Sequence, residues 1–199
     1  VLVVAAETLS QTVDYSDRSN CFLLGDGAGA FVAQNGTGKA ASFLRSDGSG
    51  GKHLYLRRAR KETPFTKGAE MKDRSPFPTN PNGFMFMSGH DVYRFATRAM
   101  PAAICKACEK ANFAPEDLDL VITHQANLRI IEAAAKYMKL PMDKVFVNIQ
   151  DYGNTSAASV TIGLDECVRA GRLKKGDKVC IVGFGAGLSY GAVVFEYEN

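Results

Sequence analysis

Three short apolar runs, at 118–122, 145–149 and 178–182, limit what this chain can become more than any other feature of it. Each ends in a polar or glycine-rich turn, and a helical stripe separates each from the next. Leu128, Ile131, Ala134, Ala135 and Met138 recur at the spacing that gives a helix one apolar face, and Ala157, Val160, Leu164 and Val168 repeat the pattern before Gly171 stops it. Strand–helix–strand–helix–strand with short links requires parallel neighbours and right-handed crossovers. A fourth run, Tyr190 to Tyr197, returns after so few residues that it must be antiparallel. The expected class is therefore α/β, layered around a mixed sheet. Ligands collect beyond the carboxyl ends of strands in such sheets. Three turns then share one edge: the knot Thr123-His124-Gln125-Ala126-Asn127, the turn holding Asn154, and the glycine-rich 183–188.

The rest of the chain fits around this unit. Val1 to Ala6 reads as a fully buried strand without an initiator Met, and a strand that starts inside a core suggests the back part of a longer polypeptide. Gly25-Asp26-Gly27-Ala28-Gly29 sits inside an apolar run that continues to Ala33. No helix opens at its last glycine, so close backbone approach is expected there rather than nucleotide phosphate binding. Residues 34–83 are the least structured by composition, with a short strand or hairpin at Leu54 to Leu56. Ser88 is placed to cap a helix carrying Val92, Phe95, Ala96, Ala99, Ala103, Ile104 and Ala107, which Pro101 should kink or restart. Short turns are expected at 115–117 and 142–144.

Charge excludes one class of function. The balance of 24 basic and 21 acidic residues leaves +3, too little to argue for nucleic acid, and the basic run from Lys52 to Lys61 reads as a solvated loop face. No apolar run is long enough for a membrane span. Five scattered cysteines speak for a reducing compartment, and Cys105 and Cys108 read as buried thiols on a helix rather than half of a zinc site.

An imidazole, a carboxamide and a glycine-rich turn are parts for polarising a carbonyl and holding an oxyanion, provided His124 offers a neutral N–H. A nucleophile is missing from the set. Ser156 is better placed as a helix cap, and no cysteine opens a helix from a small-residue turn.

Thr-His-Gln-Ala-Asn-Leu-Arg-Ile-Ile at 123–131, Tyr-Gly-Asn-Thr-Ser-Ala-Ala-Ser at 152–159 and Gly-Phe-Gly-Ala-Gly-Leu at 183–188 closely resemble β-ketoacyl-acyl-carrier-protein synthase III, a condensing enzyme of the thiolase superfamily. Asp17-Arg18, the segment 24–30 and Met87-Ser88-Gly89 resemble further segments of the same family, in the same order. The resemblance implies a thiolase-like fold of two similar layered halves with mixed five-stranded sheets. This chain would hold the last strands of the first half in 1–36, a connector or lid in 37–83 and the whole second half in 84–199.

The resemblance also implies chemistry. By that resemblance a nucleophilic Cys lying before residue 1 takes an acyl group from acyl-CoA, with acetyl-CoA the expected primer; malonyl-acyl-carrier-protein then loses carbon dioxide and its carbanion attacks the acyl thioester. By position, His124 and Asn154 would hydrogen-bond the malonyl carbonyl and stabilise its enolate. The backbone N–H of Ala186, where the family commonly has Gly, would serve the other oxyanion hole. Phe184 resembles an aromatic beside the active site, and Asn127 a residue that orients the site through water. Arg18 matches a position that stacks on the adenine of CoA, and Gly89 one that lines the CoA channel, with His90 where relatives often carry Asn. Arg129 and Lys136 resemble the basic face that docks the acidic carrier protein. No metal or cofactor is implied, acyl-CoA being a substrate. The expected state is a homodimer in the bacterial cytoplasm or a plastid, with neither membrane nor nucleic acid as partner, and this chain alone, lacking the Cys segment, would not turn over. Alternatives are a similar acyltransferase of secondary metabolism and a non-catalytic half acting as a structural partner.

Overall fold

In the computed structural model, residues 1–57, 64, 65, 67, 77 and 83–199 are described. The chain opens with an antiparallel pair, β1 (Leu2–Thr8) and β2 (Asp26–Val32). The main sheet is mixed and five-stranded. Its order is β3 (Ala40–Ser46), β9 (Ser189–Glu196), β8 (Lys178–Gly185), β6 (Leu120–Thr123) and β7 (Val145–Phe146). β6 is parallel to β7 and β8, whereas β9 runs antiparallel to β8 and β3. A further antiparallel pair joins β4 (Leu54–Leu56) to β5 (Met85–Met87). The helices are α1 (Gly89–Ala111), α2 (Leu128–Met138), the single turn α3 (Ile149–Tyr152) and α4 (Ala158–Arg169).

Apolar spacing dictates the layers. Ala96, Met100, Ala103 and Ala107 line one face of α1 and, with Ile130 and Ala134 of α2, pack on Val121, Cys180, Val182, Ala192 and Val194. On the opposite sheet face Leu120, Ile122, Phe146 and Val179 meet Cys167, Val160 and Leu164 of α4. All four residues of β6 are buried, as befits a central parallel strand covered on both faces. α4 is itself covered by β1 and β2, and glycine makes that approach possible. A Cβ at Gly25 would collide with the Tyr152 carbonyl, and one at Gly29 with the Thr161 hydroxyl. The glycine ridge is thus a packing surface.

Several expectations need correction. β1 is not fully buried: Leu2, Val4 and Val32 are 65, 61 and 72% exposed, because only the Val3–Ala5–Glu7 side faces α4. Residues 40–46, read as unstructured, form the edge strand β3, whose Ala41 and Phe43 pack on the core. Much of the remaining 37–83 stretch, including the end of the basic run, lies outside the described residues. α1 continues through Pro101, which is buried within it, and does not restart there. Ser88 precedes α1, but its hydroxyl donates to the Asp91 carboxylate (2.6 Å) and caps no backbone N–H. Cys105 is exposed, although Cys108 is buried.

The strand expected at 145–149 stops after Phe146, and α3 follows. The Gln125 side chain takes the Phe146 carbonyl and the Asn148 N–H, two groups a longer ladder would have used. β8 conversely runs on through Gly185, so the turn before β9 shrinks to 186–188. Among the described residues no helix is long and apolar enough to cross a membrane.

Candidate active site

β6 delivers His124 to the carboxyl edge of the sheet, where its backbone N–H still donates to the Val182 carbonyl of β8 (2.7 Å). Gly183 leaves room beside it, since a Cβ there would stand 3.7 Å from that of His124. The Phe184 ring meets the imidazole edge-on at 5.2 Å between centroids. His124, Val160, Gly183, Phe184, Gly185 and Tyr190 help to line a cavity of about 710 Å³.

The ring is 9% exposed, and burial pushes its pKa down to about 4, partly opposed by a hydrogen bond to the Ser156 carbonyl. It is neutral at pH 7. Nδ1 lies 3.1 Å from that carbonyl oxygen and 3.0 Å from Ser159 Oγ. A carbonyl only accepts, and the Ser159 hydroxyl already donates to the same oxygen (2.6 Å). Nδ1 therefore carries the proton, and Nε2 presents a lone pair. The expected neutral N–H is engaged on the protein side.

Asn154 reaches the same residue through its N–H. Its Oδ1 accepts the Ser156 N–H (2.9 Å), while Ser156 adopts the left-handed region at φ 52°. Its backbone is held on both sides, donating to the Leu23 carbonyl and accepting from the Gly25 N–H. The side-chain NH₂ of Asn154 has no hydrogen-bond partner among the described residues, and Asn154 lies beyond the walls of the His124 cavity. Ser156 does not cap α4 through its side chain; its backbone N–H and carbonyl link the two turns.

The other sequence candidates are more dispersed. Asn127 caps α2, its Oδ1 accepting the Arg129 N–H (2.9 Å). Arg129 and Lys136 are exposed two turns apart on one side of α2, with no ion pair among the described residues. Arg18 is exposed in the turn before β2, and Gly89 is exposed at the start of α1 with open space around its Cα. Ala186 is exposed in the β8–β9 turn, whereas Gly183 and Gly185 line the cavity. No cysteine lines it. Burial raises the thiol pKa of Cys108 and Cys167 to about 11 and holds that of Cys180 well above the ordinary thiol range, the reverse of an activated nucleophile.

Sequence reasoning passed over Gln125 and Ser159. Both lie inside the quoted motifs, but only their burial, 0 and 2% exposed, marks them as structural partners of the site.

Comparison with known proteins identifies the family. The C-terminal 3-oxoacyl-[acyl-carrier-protein (ACP)] synthase III family matches residues 108–197, and the 3-oxoacyl-[acyl-carrier-protein (ACP)] synthase III family matches 1–49. The β-ketoacyl-[acyl-carrier-protein] synthase III of Caldanaerobacter subterraneus subsp. tengcongensis is 44% identical over 202 residues, covering all of this chain and 59% of the relative. The chain thus spans a little over half the length of the relatives it matches. The crystal structure of 3-oxoacyl-[acyl-carrier-protein] synthase III from Aquifex aeolicus superposes with a TM-score of 0.82 at 38% identity, over 98% of this chain and 57% of that one. The priming β-ketosynthase of the R1128 polyketide biosynthetic pathway gives 0.82 at 34%, over 100% and 57%. The fold is thiolase-like, and the chain belongs to the 3-oxoacyl-[acyl-carrier-protein] synthase III family.

Proposed function

We propose that this chain supplies the enolate-stabilising part of a condensing acyltransferase that initiates fatty-acid synthesis, joining the acyl group of acyl-CoA to malonyl-acyl-carrier-protein with loss of carbon dioxide. The observation that carries this reading is that His124 and Asn154 meet on Ser156, the ring at its carbonyl and the carboxamide at its N–H. The net reaction takes acyl-CoA, malonyl-carrier anion and one proton to 3-oxoacyl-carrier, carbon dioxide and CoA thiol, so a site that takes up a proton is in keeping with it.

Acylation comes first, on a thiol outside these 199 residues. Decarboxylation then breaks the bond to the malonyl carboxylate, and the electron pair passes into the thioester as an enolate. The unpaired amide of Asn154 is a donor for the charged oxygen. His124 starts with a bare Nε2, becomes a donor when that nitrogen takes up the one proton the reaction consumes from solvent, and the enolate charge offsets the cost of burying the imidazolium; the proton passes to the thiolate released as the enolate displaces it from the acyl thioester. Such a donor is worth on the order of 10²–10³ in rate. The acyl thioester's own tetrahedral oxyanion falls to main-chain N–H groups at 183–186, Ala186 included. Phe184 shapes the pocket, and Asn127 fixes the start of α2.

Arg18 and Gly89 are assigned to CoA, and Arg129 with Lys136 to the acidic carrier protein, which their exposure permits. The open apolar side of β1 and β2 suits burial by more of the same protein or by a second copy in a homodimer. A cytoplasmic enzyme without metal or cofactor completes the proposal. Similarity to a polyketide priming synthase favours, as a second reading, an acyltransferase of secondary metabolism. The full-length protein incubated with a panel of acyl-CoA thioesters should gain one acyl group by intact mass and pass it to malonyl-carrier protein; a preference for acetyl-CoA supports fatty-acid initiation, and absence of any acyl adduct contradicts the proposal.

A further inference from the structure

We infer that Gln125 is a positioning residue that fixes the turn carrying Asn154 against the ring of His124; the inference rests on the function proposed above. Gln125 is wholly buried, and a buried carboxamide is costly unless its polar atoms are paired. Here they all are. Its Nε2 donates to the carbonyl of Thr123 (3.0 Å), to the Thr123 hydroxyl (3.2 Å) and to the carbonyl of Phe146 (3.1 Å), while its Oε1 accepts the N–H of Asn148 (3.1 Å). One side chain thus clamps the exit of β6, which carries His124, to the exit of β7, which leads to Asn154.

The clamp extends in both directions. Asn148 Nδ2 donates to Glu166 of α4 (3.2 Å), and the same carboxylate holds up the pKa of the Tyr152 hydroxyl, two residues before Asn154. On the other side the Gln125 peptide N–H donates to Ser159 Oγ (3.1 Å), the hydroxyl that meets His124 Nδ1. Gln125 itself does not line the cavity. Its effect therefore passes through its neighbours, and a displacement of either turn is felt in the geometry of donors around the enolate.

Gln125→Met keeps the volume and removes every amide hydrogen bond. In the full-length protein, well below its melting temperature, it should slow malonyl decarboxylation about tenfold or more. Enzyme acylation by acyl-CoA and the KM for malonyl-carrier protein should stay within about twofold, a split not expected from general loosening. Leu140→Ala, a core truncation just past the C-terminal end of α2, should lower stability without changing the ratio of the two half-reactions. Gln125→Glu guards against a variant that fails to fold: its carboxyl group, neutral at low pH, can still donate to Phe146 and accept from Asn148. The half-reaction ratio should then approach wild type as pH falls and resemble the Met variant as pH rises. An unchanged ratio in Gln125→Met, or an equal change in Leu140→Ala, overturns the inference. His124→Ala and Asn154→Ala run beside them separate the two claims, because if those leave decarboxylation intact it is the proposed function that fails.

Discussion

His124 is neutral at pH 7 because its surroundings tolerate a charge poorly, and this has a thermodynamic counterpart. With its pKa lowered from 6.5 to about 4 by burial, the folded state binds fewer protons than the unfolded state between those values. Stability is therefore fully present above about pH 6.5 and falls as pH drops toward 4, by up to about 3 kcal/mol. Asp26, Asp91 and Asp117 are held below the ordinary 3.8 mainly by hydrogen bonds from Ser10, Ser88 and Lys178, so their contribution is lost in a lower window. Urea denaturation at pH 7.0 and 4.5 should show a larger loss for wild type than for His124→Gln; equal losses contradict the assignment. At this scale the positions of His124 and Asn154 in the fold were legible because each stands in a polar turn after an apolar run. The tautomer was not, since it depends on Ser156 and Ser159, 32 and 35 residues away, being folded onto Nδ1.

Among the elements, the glycine ridge before and within β2 was legible as a place of close approach, and α4 is what approaches. Gly29→Val would drive a branched side chain into Thr161 and cost about 1–3 kcal/mol by overpacking. Gly48→Ala, where nothing lies within 4 Å of the added carbon, should leave the melting temperature nearly unchanged. Equal melting temperatures for the two variants would show that the ridge is looser than described. Helices α1, α2 and α4 followed from their apolar stripes, and the αL residues Asn112 and Lys139 end the first two. β3 escaped notice because only Ala41 and Phe43 face the core, too few to produce a clear alternation in an edge strand. The early end of β7 escaped for a different reason: its hydrogen-bonding groups are claimed by a side chain from another strand.

For the whole molecule, the layers place His124 and the Ser156 peptide at one edge of the five-stranded sheet and leave β1 and β2 with an apolar side uncovered. The alternation of strands and helices was enough to anticipate the shared edge, whereas the uncovered side depends on which layer is outermost. No cysteine among the described residues lines the cavity, in keeping with the decarboxylation role proposed for His124 and Asn154. The most direct measurement is carbon dioxide release from malonyl-carrier protein by the full-length enzyme after its acylation, in wild type, His124→Ala and Asn154→Ala. Acylation should proceed at near wild-type rate in both variants, with release slowed about 100-fold or more. Release at the wild-type rate alongside impaired acylation would contradict the role proposed for the two residues.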